Sequence, residues 1–263
     1  MRHLASAIVL AAGLLAGCGK GEDPKPAAPD PAEQVPQKPV PAPEKCGRIL
    51  VRVVLRGEPP KPKAIEVTDA ECMGAHVRGE LRDTKVVVGA SGELANVIVW
   101  LDRGVDPGWR WPVPQDPFVL DQAHCMFTPR AGTMRAGQPL EIRNSDETIH
   151  FVHAKPRLNP GLNVSLVPGS RMTLTAEGKT RTFMSQEEPF PIICDPHPWM
   201  YAMLGVFRHP FHGVTGTDGT VTLQGVPEGE YTLKLKHEKY GVQESTVKVA
   251  AGGDAAVAAS FGE

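Results

Sequence analysis

The sequence predicts an all-β protein with few helices, and three observations predict it. Runs rich in β-branched residues recur after Lys45, at Arg48 to Leu55, Lys85 to Val88 and Ala95 to Leu101. Between such runs the chain is dense in glycine and proline, which end strands and set turns. No stretch carries a sustained 3.6-residue apolar period with helix caps. Many short strands joined by such turns are the pattern of stacked sheets rather than of βαβ units.

Taken in order, the chain opens with MRHLASAIVLAAGLLAGC, a basic start followed by an apolar run too short to span a bilayer comfortably. Leu15-Ala16-Gly17-Cys18 resembles the bacterial lipoprotein processing motif, in which the cysteine becomes the lipidated first residue. Residues 1–18 are therefore expected to be a signal peptide. Gly19 follows where an aspartate would signal inner-membrane retention, so the expected location is the periplasm, lipid-anchored to the outer membrane if the cell has two membranes, and otherwise the cell surface. Residues 19–45 repeat proline every few positions and lack large apolar side chains, the composition of a semi-extended spacer. No later segment is long and apolar enough to be a membrane-spanning helix. A net charge of -2 and scattered Lys and Arg argue against nucleic acid as a partner.

The β pattern continues through PLEIRNSD, SRMTLTAEG, LGVF, TVTLQGVPEGEYTLKLKHE and ESTVKVAAG. Alternation at Thr220 to Leu223 and Tyr231 to Leu235 flanks Val226-Pro227-Glu228-Gly229, expected to be a hairpin or a tight connection between sheets. WLDRGVDPGWRWPVPQDP reads as a long loop whose tryptophans cover a sheet end, cover a site or pack in the core. No repeat long enough for a solenoid or propeller is present.

Chemistry concentrates in CDPHPWMYAM, Cys194 to Met203. Cys194 and His197 form a C-x2-H pair on a loop stiffened by Pro196 and Pro198, and Met200 or Met203 offers a weak axial sulfur. A trigonal His2Cys set with a distant thioether suits an electron-transfer copper centre. The second histidine must come from elsewhere, and His150 and His153 follow the turn Asn144-Ser145-Asp146. Either could be the upstream ligand, and both together would add a fourth strong ligand, moving the centre from blue towards tetragonal copper. Zinc is the physical competitor, since tetrahedral Cys/His sites suit it. Of the remaining histidines, His209 and His212 are the ones expected nearest the site. With Cys194 given to a metal, one disulfide can form among Cys46, Cys72 and Cys125. Cys72 with Cys125 is favoured, each lying near the end of a strand-loop unit, although spacing leaves the other pairings open.

These residues carry a resemblance. Pro139 to Phe207 resembles a cupredoxin, the blue-copper fold of plastocyanin, azurin and pseudoazurin. GELANVIVWL, LDQAHCMFTPR, GQPLEIRNSDETIHFVHA and CDPHPWM further resemble secreted bacterial proteins of cupredoxin-like or methylamine-utilisation-like type. VTGTDGTVTLQGVPEGEYTLKLKH is similar to carboxypeptidase-regulatory or transthyretin-like sandwiches. The resemblance implies a cupredoxin-like Greek-key β-sandwich combined with a second, transthyretin-like one. Residues 46–115 would begin an accessory sandwich, 116–210 form the copper domain and 211–263 supply further strands. The copper domain would then be inserted into the accessory sandwich, or the parts would follow one another as beads. In plastocyanin-like sites the axial methionine lies five residues past the histidine; Met200 and Met203 depart from that spacing.

The function this implies is a mononuclear copper protein, one Cu per chain, carrying single electrons to a transient partner such as a c-type cytochrome. His197 would be the electron port, rimmed by Pro198, Trp199, Phe190 and Pro191. The alternatives are copper storage, delivery or sensing, or a binding or scaffold lipoprotein with a structural metal. An enzyme ranks last, because no nucleophile–base set, zincin helix or paired-carboxylate motif stands out. Glu187 and Glu188, just upstream of the motif, are either outer-sphere groups or a solvated loop.

Overall fold

In β1 (Cys46–Arg56) side chains alternate between buried and exposed, and Ile49, Val51, Val53 and Leu55 point to one face. The computed structural model describes residues 35–67, 69–70, 72 and 81–262; the leader and most of the proline-rich spacer lie outside these. Beyond β1 the strands are β2 (Ile98–Arg103), β3 (Phe118–Ala123), β4 (Met126–Thr128), β5 (Ala131–Arg135), β6 (Leu140–Asn144), β7 (His150–Ala154) and β8 (Leu162–Leu166). They continue as β9 (Arg171–Leu174), β10 (Glu187–Ile193), β11 (Tyr201–Phe207), β12 (His212–Val214), β13 (Thr220–Pro227), β14 (Gly229–His237), β15 (Gly241–Val249) and β16 (Asp254–Gly262). The fold is all-β. No helix among the described residues is long and apolar enough to cross a membrane.

The strands form sheets in the orders β13-β1-β16, β12-β2-β14-β15, β5-β11-β10-β7-β8 and β4-β3-β6-β9. Inward residues of the first two, among them Ile49, Val51, Val99, Leu233 and Val257, make one apolar core. Those of the other two, among them Leu120, Ile142, Val152, Ile192 and Leu204, make a second. Each pair of sheets is thus a sandwich. β1 and β2 near the start pair with β12, β13, β14 and β16 near the end, whereas β3 to β11 pair among themselves.

The continuous apolar run at β2 has a physical reason. Val99 and Leu101 enter the first core, while Ile98 and Trp100 on the opposite face meet Ala131, Met203 and Phe207. A strand buried on both faces reads as unbroken hydrophobic sequence. Arg130 adds a bidentate, largely buried ion pair with Glu238 at 2.8 and 2.9 Å across the same junction.

Several local expectations are corrected. Lys85 to Val88 forms only an isolated bridge, Val88 to Leu94, beside a tight turn in which the Gly89 N–H donates to the Glu93 carbonyl and the Ala95 N–H to the Val87 carbonyl. The strand expected from Ala95 begins at Ile98 and runs to Arg103. Of the two connections expected around Val226 to Gly229, the chain makes the one between sheets rather than a hairpin: β13 pairs with β1 and β14 with β2 and β15, with Glu228 between them. The tryptophans pack rather than cover the histidine–cysteine cluster, with one exception. Trp100 stacks on Phe207 at 5.6 Å and Trp111 meets Phe211 edge-on at 5.1 Å, whereas Trp199 lies against His197.

Candidate metal centre

The turn between β6 and β7 is built by its own polar residues. Asn144, buried at the end of β6, donates from Nδ2 to the carbonyls of Thr148 and Leu166, and its Oδ1 accepts the Asp146 N–H. This fixes the entry into β7, where strand alternation then sorts the two candidate histidines. His150, Val152 and Ala154 face the core; Phe151 and His153 face away. Downstream, the loop from β10 to β11 closes on itself: the Met200 N–H donates to the His197 carbonyl at 2.9 Å and the Cys194 N–H to the Met200 carbonyl at 3.3 Å.

These elements bring His150, Cys194 and His197 together, all buried, with ligand atoms within 4.8 Å of one another. The Nδ1 atoms of His150 and His197 lie 2.9 Å apart, and Cys194 Sγ stands 3.5 Å from His197 Nδ1 and 4.0 Å from His150 Nδ1. The Phe151 N–H points at that sulfur from 3.3 Å. Donor–donor edges of this length suit one ion with bonds of about 2.0 Å to nitrogen and about 2.3 Å to sulfur. Two imidazoles and a thiolate converging on one point are a soft-to-borderline donor set, so the residues fit copper or zinc chemistry.

The ring nitrogens turned away from this point are also held. His150 Nε2 lies 2.9 Å from Asp146 Oδ2, and His197 Nε2 lies 3.5 Å from Asp69 Oδ2. Carboxylates behind metal-ligating histidines fix tautomer and orientation. Burial alone would depress the His150 pKa, but hydrogen bonds to Asp146 and Cys194 and the charges on both outweigh it and raise it to about 9. His197 moves down, through its own burial and the neighbouring His150 charge, with Asp69 opposing. These opposite shifts favour charge on His150 over His197 in the metal-free pair.

The remaining expected site residues separate cleanly. Met200 is fully buried in the same apolar cluster as Cys194. Met203 is not with them: it stands on the opposite face of β11 from Ala202 and Leu204, against Ile98, Trp100 and Phe207. His153 is likewise outside the cluster, half-buried, with Nδ1 2.9 Å from Asp195; the two-residue period of β7 excludes it from the side that holds His150. His209 and His212 are no neighbours of the centre either. His209 Nε2 donates to the Leu101 carbonyl, and His212 stacks on Phe207 at 4.9 Å. Glu187 is a structural acid, accepting backbone N–H groups of Arg157, Leu158 and Asn159, and Glu188 pairs with Lys234.

His197 is only 4% exposed, so it is not the solvent-facing edge the sequence suggested. Trp199 lies over it with ring centroids 5.2 Å apart, and Asp69 covers its Nε2 side. Phe190, expected at a docking rim, is buried against Phe183. Cys72 and Cys125 are joined as a disulfide, and Cys46 is free, as the sequence favoured. Asp69 and Asp146 were missed as partners of the site. Asp146 lay in a turn already singled out, but nothing in its spacing announces a carboxylate behind His150; Asp69 is remote in sequence.

No family model matches this sequence, and no curated protein matches it. Solved structures are similar to part of it. A Cu-containing nitrite reductase from Thermus scotoductus SA-01 is 18% identical, covering 37% of this chain and 24% of that one, with a TM-score of 0.31. The chain therefore spans about a quarter of that protein's length. A point mutant of amicyanin, in its Cu(I) form, is 21% identical over 36% of this chain and 85% of its own, with a TM-score of 0.30. A purple cupredoxin from Nitrosopumilus maritimus is 16% identical over 35% of this chain and 99% of its own, at a TM-score of 0.27.

Proposed function

We propose that the chain is an extracytoplasmic mononuclear copper protein that carries single electrons. The observation that supports this most is the enclosed convergence of His150, Cys194 and His197, held by two strands and a short self-bonded loop. Copper would supply a Cu(I)/Cu(II) couple. The residues' part is to keep the donor geometry nearly unchanged between the two states, which keeps reorganisation small. Met200 would offer a weak thioether donor from the same buried cluster, and the Phe151 N–H would lower electron density on Cys194.

Burial weighs against rapid metal exchange, and so against storage or delivery as the main task. An electron would reach the surface past half-buried Trp199 and exposed Pro198 rather than through a bare histidine edge. A small redox protein such as a c-type cytochrome is the partner this reading implies. A transthyretin-like accessory sandwich and a lipid anchor at Cys18 in the outer membrane complete it, with no enzymatic turnover.

The test is spectroscopic. The full chain, purified with Cys18→Ser so that no lipid is attached, is loaded with Cu(II) and its absorption, electron paramagnetic resonance and metal content are recorded. Intense thiolate-to-copper charge transfer at one copper per chain, abolished by Cys194→Ser, is the expected result. A colourless protein that retains zinc, or copper binding indifferent to Cys194, would overturn the reading.

A further inference from the structure

The Cys72–Cys125 disulfide lies against the histidine pair rather than at a remote edge of the fold. Cys72, Cys125 and His150 present ligand atoms within 4.8 Å of one another, and so do Asp69, Cys72 and His197. Both cysteines are buried, at 0% and 1% exposure. Their backbones are held by contacts independent of the S–S bond. Asp146 accepts the Cys125 N–H at 2.8 Å, Trp199 Nε1 donates to the Cys125 carbonyl at 3.0 Å, and Asp69 Oδ1 accepts the Cys72 N–H at 2.8 Å. A stabilising cross-link needs none of this company. Two sulfurs flanked by imidazole and carboxylate resemble, in their reduced form, a second donor set.

We propose that Cys72 and Cys125 are a latent second metal position for a soft monovalent ion, Cu(I), occupied only when their disulfide is open. A dithiol reductant delivers two electrons and two protons to the S–S bond and is itself oxidised to a disulfide. The two thiols then release their protons to solvent as both sulfurs bind Cu(I), the ion that thiolates favour. Ring nitrogens of His150 or His197 and the Asp69 carboxylate lie within reach as further donors. The chain thus has two metal capacities: the His150–Cys194–His197 centre in either state, and the adjacent dithiolate in the reduced state alone. This rests on the preceding reading for the identity of the first ion, but not for the existence of the second position.

The test uses the full chain with Cys18→Ser and Cys46→Ser, leaving Cys72, Cys125 and Cys194. Disulfide-intact and dithiol-reduced, desalted protein are titrated anaerobically with Cu(I) against a chromophoric Cu(I) chelator. Titratable thiols are counted before and after. The expected result is one additional Cu(I) per chain after reduction, with the two newly released thiols masked from the thiol reagent by that copper. Adding Cys194→Ser removes the first centre and leaves the reduction-dependent gain intact, so failure of either position shows separately. Alkylating the reduced protein, or introducing Cys72→Ser with Cys125→Ser, abolishes the gain. Equal uptake in the two redox states, or a gain that survives loss of Cys72 and Cys125, overturns the proposal.

Discussion

The two sandwiches bury histidines in opposite ways. In the β3–β11 sandwich, His150 and His197 sit among a sulfur and two carboxylates, and the His150 pKa rises to about 9. In and beside the other, His209, His212 and His237 are enclosed with aromatic rings and lie near Arg135, Arg130 or Lys239. Burial and then these positive neighbours lower them to about 4, 3 and 4, although a backbone hydrogen bond and Asp102 partly oppose the shift at His209. Neither ring nitrogen of His212 has a hydrogen-bond partner. Burial alone therefore makes a neutral, packed imidazole. A site requires the acids and the soft donor that turn the ring and hold its proton until a metal replaces it.

The strongest way to break this comparison is to delete one histidine from each region. His150→Ala is expected to weaken copper binding by more than about 100-fold, beyond what loss of a supporting residue costs. His212→Phe should leave it unchanged and raise thermal stability slightly, because two unpartnered nitrogens disappear from beside Phe207. Competition titration and calorimetry read the two; equal effects on metal affinity would erase the distinction.

Next is the carboxylate behind the ligand. Asp146→Asn should cost about 10- to 100-fold in metal affinity. It should also bring the His150 pKa of the metal-free protein well down from about 9, which an imidazole NMR titration measures. Unchanged titration would mean that Cys194, not Asp146, holds the proton.

The regions should also differ in their response to pH. For His209, His212 and His237 the folded pKa lies below the unfolded value of about 6.5, so the unfolded chain binds more protons as acid is added. Stability is then lost as pH falls from about 6.5 towards 3 to 4. His150 has the opposite sign: its contribution to the metal-free protein is fully present below pH 6.5 and is lost as pH rises through about 9. Denaturant midpoints across pH 3 to 10, with and without His150→Ala and His212→Phe, separate the limbs.

The smallest effects distinguish the methionines. Met200→Leu should shift the copper spectrum and potential with little change in stability. Met203→Leu should leave both spectroscopic quantities unchanged and cost less than about 1.5 kcal/mol, since it keeps volume in the cluster with Trp100 and Phe207. A spectral response to Met203→Leu would reverse the assignment of the thioether.

Local chemistry made part of this legible in advance. The β-branched runs at Arg48 to Leu55 and Ala95 to Leu101 predicted strands because β-branched side chains favour a pleated surface, and Cys194, His197 and Met200 share one short loop, so their proximity is a property of the sequence itself. The choice between His150 and His153 needed the phase of β7 relative to its core. The choice between Met200 and Met203 needed the phase of β11. The phase of β11 is hidden because that strand is buried on both faces and hydrophobic alternation disappears, while in β7 both candidate histidines are polar and the sequence does not say which face meets a core.

By itself, then, the sequence determined the all-β class and the nearness of Cys194 to His197, because each follows from local propensity or short spacing; it favoured the Cys72–Cys125 pairing without selecting it. The tertiary structure alone decided which upstream histidine joins them, that Asp146 and Asp69 stand behind the rings, and that the disulfide lies beside the site. It also decided that β1 and β2 complete a sandwich with β12–β16. All of these are contacts between residues far apart in the chain, set by which faces the sheets bury, and sequence spacing carries no record of that.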